Sequence, residues 1–247
     1  MTFWAKHFSK QALRILNAIG GALPFSLLEW GLLALLLWIL LRPHRFRRLF
    51  TLLLSMLMMY VFIWLPLSVQ AKPDYDASDA QIGVSCTALI DILNDSAPDF
   101  SRLPDDLPAK VCAFPFWMRA LRLSGFYSFF TGEALISPDV AACAAPFTAV
   151  HEVMHGSGIA DEGACNVAAY EDCMSRGGVY ADSARLWALR YAMGQVRNAD
   201  YDAYYRLLCR MNARIYTLFR EIGGAICESG GNYEILASYL AAKARVC

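Results

Sequence analysis

The chain has 247 residues, of which 57% are hydrophobic and 18% charged, with 10 Pro and 16 Gly and a formal net charge of +0. That balance excludes a disordered, collagenous or low-complexity chain. The neutrality hides a split: residues 1–70 carry seven Lys/Arg against Glu29 alone, whereas residues 71–247 carry fifteen Lys/Arg against twenty-one Asp/Glu. Two parts with different surroundings are expected, and the acidic back part offers no phosphate-binding patch, so nucleic acid is not an expected partner.

In chain order, residues 1–21 set Phe3, Trp4, Phe8, Leu13, Ile15, Leu16 and Ile19 among Lys6, Lys10 and Arg14. That pattern predicts an amphipathic helix on a membrane surface. Residues 22–42 and 49–69 are almost wholly apolar and long enough to cross a bilayer. Between and beside them lie Arg42, Arg45, Arg47 and Arg48. Short Arg-rich loops stay cytoplasmic, so residues 22–70 read as a transmembrane hairpin whose partner is the lipid bilayer. Glu29 lies two turns from the outer end of the first span and is expected to snorkel to the interface. All eight cysteines follow the second span, from Cys86 to Cys247. An even number on one side predicts a disulfide framework in an oxidising compartment. The chain is thus expected in a bacterial cytoplasmic membrane, with residues 71–247 forming an extracytoplasmic, periplasmic domain.

That domain reads as mainly α. A short helix, 86–94, is set between loops at 71–84 and 95–110, and residues 126–136 predict a short strand or hairpin. Helical periodicity then covers 146–156, 162–175, 180–197, 200–222 and 232–245. The stripe Tyr201, Tyr204, Tyr205, Leu208 and Met211 is read as core.

His151-Glu152-Val153-Met154-His155 is an H-E-x-x-H motif. On a helix its two histidines share one face and can hold one Zn²⁺, while Glu152 points at the metal-bound water as general base. Pro146 offers a helix start and Gly156-Ser157-Gly158 a stop. His151 and His155 are the only histidines after residue 44, so a third ligand within the domain must be a carboxylate or, less favoured, a thiolate. Glu162 is ranked first, then Asp161, then Glu171; either of the first two can instead cap the helix they precede. The implied chemistry is zincin-like peptide hydrolysis on a peptide or protein substrate, paired along the strand at 126–136. Tyr170 and Tyr233 are candidate oxyanion donors, against ordinary core packing, and Glu133 is either a substrate-side group or a turn residue.

The chain also resembles a bacterial domain-of-unknown-function family of membrane-anchored zinc metallopeptidases. The resemblance rests on Pro24-Phe25-Ser26 with Glu29, Gly125-Phe126-Tyr127, Thr131-Gly132-Glu133-Ala134 and Pro146-Phe147-Thr148. It continues through His151 to His155, Gly158, Glu162, Asn166, Ala169-Tyr170 and Asn232-Tyr233. It implies a zinc peptidase domain outside the membrane. Two departures stand out. The resemblance implies a further span before Pro24, so a truncated start is expected. The family's Glu-x-Glu-Ala-Asn reads Glu162-Gly163-Ala164-Cys165-Asn166 here, which leaves a second expectation open: a catalytically inactive, membrane-tethered binding or scaffold module.

Overall fold

The computed structural model describes residues 4–41, 45–69 and 79–225, together with 236, 239 and 240. Residues 42–44, Tyr233, Cys227, Cys247 and most of the helix expected at 232–245 lie outside the described residues.

The front part is helical. After a wide turn over Ala5–Ser9, α1 runs over Lys10–Gly21 and α2 over Leu27–Leu40. The helix expected over 22–42 starts only at Leu27 because Ser26 caps it, its Oγ accepting from the Glu29 N–H at 3.2 Å. Fourteen residues rise about 21 Å, short of the ~30 Å of a hydrocarbon core. α3 begins at Arg45–Met59, passes a wide turn at Tyr60–Trp64 and ends at Leu65–Ser68. Among the described residues one stretch is long and apolar enough to cross a membrane, Leu49–Ser68 within α3. Phe50, Leu53 and Leu57 on it are exposed.

The back part is a helical core with a small sheet. α4 covers Asp79–Ser96, longer than expected because Ile82, Cys86, Leu89, Ile90 and Leu93 form one buried stripe. β1 (Lys110–Val111), a short helix α5 (Phe116–Leu121), β2 (Gly125–Ser128) and β3 (Glu133–Ile136) follow. The strand order is β1-β3-β2, with β1 parallel and β2 antiparallel to β3. Gly125 pairs with Ile136 and Ser128 with Glu133. Then come α6 (Ala145–Gly156), α7 (Glu162–Arg176), α8 (Gly178–Ala199), α9 (Tyr201–Arg210) and α10 (Ala213–Ala225). α8 is the hub. Its buried Ala181, Ser183, Ala184, Ala188 and Ala192 let α4, α6, α7, α9 and α10 approach it closely.

The helix expected over 200–222 is two helices. Asn94 holds the break: its side-chain amide donates to the Arg210 carbonyl at 2.9 Å and its oxygen accepts from the Asn212 N–H at 3.0 Å. Asn212 then caps α10 by accepting from Ile215 N–H. The turn rotates the apolar stripe, so Leu207 and Met211 are core while Tyr201 and Tyr205 are exposed and meet edge to face.

Glu29 does not snorkel. It is 5% exposed, and its carboxylate accepts from the N–H groups of Ala113 and Phe114 at 2.9 and 2.7 Å and from the Cys112 thiol. Glu133 answers it from the sheet, accepting from the Leu27 and Leu28 N–H groups at 2.8 Å each, which are free donors at the start of α2. Lys110 donates to Glu133 at 2.8 Å and to the carbonyls of Gly20 and Phe25. Gly132, at φ +68°, lets the hairpin turn press on the α1 backbone, where a Cβ would overlap Leu16 and Asn17. The resemblance motifs around Glu29 and Glu133 therefore build one joint between α2 and the sheet, and Glu133 is a structural residue of that joint.

No disulfide forms among the described cysteines: Cys86, Cys112, Cys143, Cys165 and Cys173 are buried free thiols and Cys209 is an exposed one. Cys86, Cys143 and Cys173 serve as small core residues. Burial pushes the thiols of Cys86, Cys112, Cys143 and Cys173 up to about 12.

Candidate metal centre

α6 carries the H-E-x-x-H motif and is fixed at both ends. Pro146 sits in its first turn, where a missing N–H costs nothing. Ser183 of α8 supplies the cap the helix lacks, accepting from the Phe147 N–H at 3.2 Å and donating to the Cys143 carbonyl at 2.7 Å. Trp187 donates to the Ala144 carbonyl. At the other end Gly158, at φ +93°, turns the chain so that Ile159 O accepts a 2.7 Å hydrogen bond from His155 Nδ1. A carbonyl only accepts, so Nδ1 of His155 carries a proton, which leaves Nε2 as the ring nitrogen that could bind a metal once it gives up its own.

Glu162, the first residue of α7, lies across both rings. Its Oε2 is 3.2 Å from His151 Nε2 and its Oε1 is 3.4 Å from His155 Nε2. Two donors each ~2.0–2.1 Å from a tetrahedral Zn²⁺ are about 3.3 Å apart, which matches the spacing of each imidazole Nε2 from its own Glu162 oxygen. His151 Nδ1 is buried with no hydrogen-bond partner, so this ring lacks the second hydrogen bond that orients His155. Asp161 is the helix cap, accepting from the Ala164 N–H at 3.0 Å. Glu171 accepts from the Tyr239 hydroxyl instead, and Tyr170 packs in the core beside Tyr239.

One donor, of the less favoured thiolate kind, is not named by residue in the sequence reading. Cys165 lies one turn after Glu162 on α7, and its thiol forms a group with His151 and His155 whose ligand atoms all fall within 4.8 Å of one another. The thiol also donates to the His151 carbonyl at 3.1 Å. The i, i+3 spacing from Glu162 is the signal that finds it, since it puts both side chains on one helical face. Electrostatics tie the four groups together. Burial opposes charge on His151, yet Cys165 and Glu162 outweigh it and raise that imidazole to about 10. Burial likewise opposes ionisation of Glu162 and Cys165, and the two imidazoles overcome it and hold both below their usual ranges.

Glu152 is 7% exposed, and burial raises its pKa while the two histidines pull the other way. It rests against Gly125 at the start of β2. The hairpin thus stands beside the helix with its outermost strand at the motif's acid, and β2 has no second strand partner among the described residues. Asn17 of α1 completes the frame, donating to the Gly156 carbonyl at 2.8 Å and accepting from the Tyr127 hydroxyl at 2.6 Å.

A family model described as a protein of unknown function, DUF3810, matches residues 67–239, and the chain belongs to that family. No curated protein and no solved structure matches it.

Proposed function

We propose that this DUF3810 member is a membrane-anchored zinc-dependent peptidase, zincin-like in that a strand edge lies over an H-E-x-x-H helix. The observation that carries it is the convergence of His151, His155 and Glu162 at donor-to-donor distances of 3.2 and 3.4 Å beside the buried Glu152. Zn²⁺ held there supplies Lewis acidity toward a carbonyl and a more acidic water. Glu152 takes the proton of the attacking water and returns it to the leaving amine; burial brings its pKa closer to the neutral range in which one group can do both. The free edge of β2 pairs the substrate backbone and sets the scissile bond beside Glu152. Arg45, Arg47 and Arg48 lie at the opposite end of α3 from the domain, which supports an extracytoplasmic domain on a bacterial cytoplasmic membrane. The test is zinc content and turnover on a peptide library. Wild type holds zinc and cleaves, and Glu152→Gln holds zinc and does not; cleavage surviving in that variant refutes the mechanism.

A second reading is favoured by Cys165. Its thiol groups with the His151 and His155 donor atoms within 4.8 Å, and Glu162 reaches the same two rings; a site closed by four protein ligands is structural rather than catalytic. In that case the domain is a tethered binding module. A thiolate-to-metal absorption band on Co²⁺ loading, lost in Cys165→Ala, is its signature.

A further inference from the structure

The apolar helix reaches the metal centre. Trp64 lies within Leu49–Ser68, and its ring centroid is 6.1 Å from that of His155. The same ring stacks on Tyr127 at 6.1 Å and on Phe129 at 5.4 Å. Only four residues, about 6 Å of helix, separate Trp64 from the end of that stretch. Tryptophan at such a position marks headgroup level in a membrane helix. The metal centre therefore stands at the bilayer surface rather than on a stalk above it.

β2 is aimed the same way. It starts at Gly125, against Glu152, and just past its end Phe129 rests on Trp64 and lies 6.2 Å from Tyr60. A strand added along its free edge has one end at Glu152 and the other at the membrane helix. The joint made by Glu29, Glu133 and Lys110, with Asn17 bound to Gly156, keeps this relation fixed. Beside the joint Phe25, Phe116 and Ile19 are exposed at 45%, 71% and 54%, apolar surface that a headgroup region can cover.

We propose that the substrate is a second membrane-anchored polypeptide, bound through the segment within a few residues of where it leaves the bilayer and paired with β2. The inference rests on the peptidase reading. A freely soluble peptide gains nothing from a strand edge whose far end meets the membrane, whereas a chain rising from the bilayer continues the strand in the direction β2 sets.

The test uses the full chain in phosphatidylethanolamine–phosphatidylglycerol vesicles. Depth is read first and without metal, as the difference in quenching by bromine-labelled lipids between wild type and Trp64→Phe. Quenching of Trp64 by bromines near the headgroup supports the placement; no quenching overturns the proposal whatever the activity. Library segments are then displayed on a transmembrane helix, either directly or behind a spacer of about 20 residues, which reaches ~60 Å. Direct display should be cut at least about tenfold faster, because only there does the tether hold the segment at the site. Equal or faster cutting behind the spacer overturns the proposal while leaving the peptidase reading intact. Absence of cleavage in every format, with Trp64 at headgroup level, removes the peptidase reading and the substrate assignment with it.

Discussion

Gly125 and Glu152 touch across the gap between the hairpin and α6. A Cβ at position 125 would lie 2.8 Å from the Glu152 Cγ and closer still to its carboxylate oxygen. The backbone of β2 can approach the acid this closely only because residue 125 has no side chain.

Gly125→Ala is therefore expected to displace Glu152 while leaving the histidines and Glu162 in place. Turnover should fall by about 10- to 100-fold, the size of effect a misplacement near 1 Å has on a catalytic group. Zinc content should not change. Measuring both on one preparation checks the prediction, and loss of zinc in this variant contradicts it.

The identity of the third ligand can be read by substitution. Glu162→Ala should weaken zinc binding by more than about 100-fold, beyond what loss of an outer-shell partner does. Cys165→Ala should leave zinc bound if the thiol stands behind the site. Competition against a chromophoric chelator separates the two outcomes.

Acid should loosen the joint. Burial opposes ionisation of Glu133, but Lys110 and the Leu27 and Leu28 N–H groups prevail and hold it below its ordinary 4.5. A carboxyl depressed on folding stabilises fully above its unfolded value and loses that contribution as pH falls through the folded one. The loss thus lies below about pH 4.5. Glu133→Gln should lower Tm at pH 7 and flatten the fall in Tm between pH 5 and 3; an unchanged acid limb argues against the joint.

Thiol labelling should follow burial. In the native protein Cys209 is expected to react rapidly, and Cys86, Cys143 and Cys173 only after unfolding, since burial both hides them and suppresses their thiolates. Peptide mapping of alkylated protein, without added reductant, should find all four as free thiols.

Periodicity and motif carried much of this structure. α6, α7 and α8 lie within two residues of their expected bounds because their apolar stripes and punctuating Pro146, Gly156 and Gly177 act locally. His151, His155 and Glu162 were legible for the same reason, all lying on two successive helices. What was not legible depends on residues far apart in sequence. Asn94 breaks the helix between Arg210 and Asn212 from 116 and 118 residues away, and no local pattern announces it. Glu29 looked like a lone charge in an apolar run because its partners, Ala113 and Phe114, are backbone groups 84 and 85 residues on. The cysteine count suggested bridges, yet at the described positions packing took the thiols; the count speaks to redox chemistry only once spatial pairing is known.

The joint also orders assembly. The first turn of α2 emerges from synthesis with the Leu27 and Leu28 N–H groups bare, and the carboxylate that receives them belongs to a residue made 106 and 105 residues later. Until the hairpin has formed and docked, the buried end of that helix is incomplete. Contacts of such sequence separation close slowly, so formation of the hairpin and completion of α2 are one kinetic event. A chain stalled between them exposes unpaired backbone, the kind of surface at which surveillance by chaperones and proteases begins.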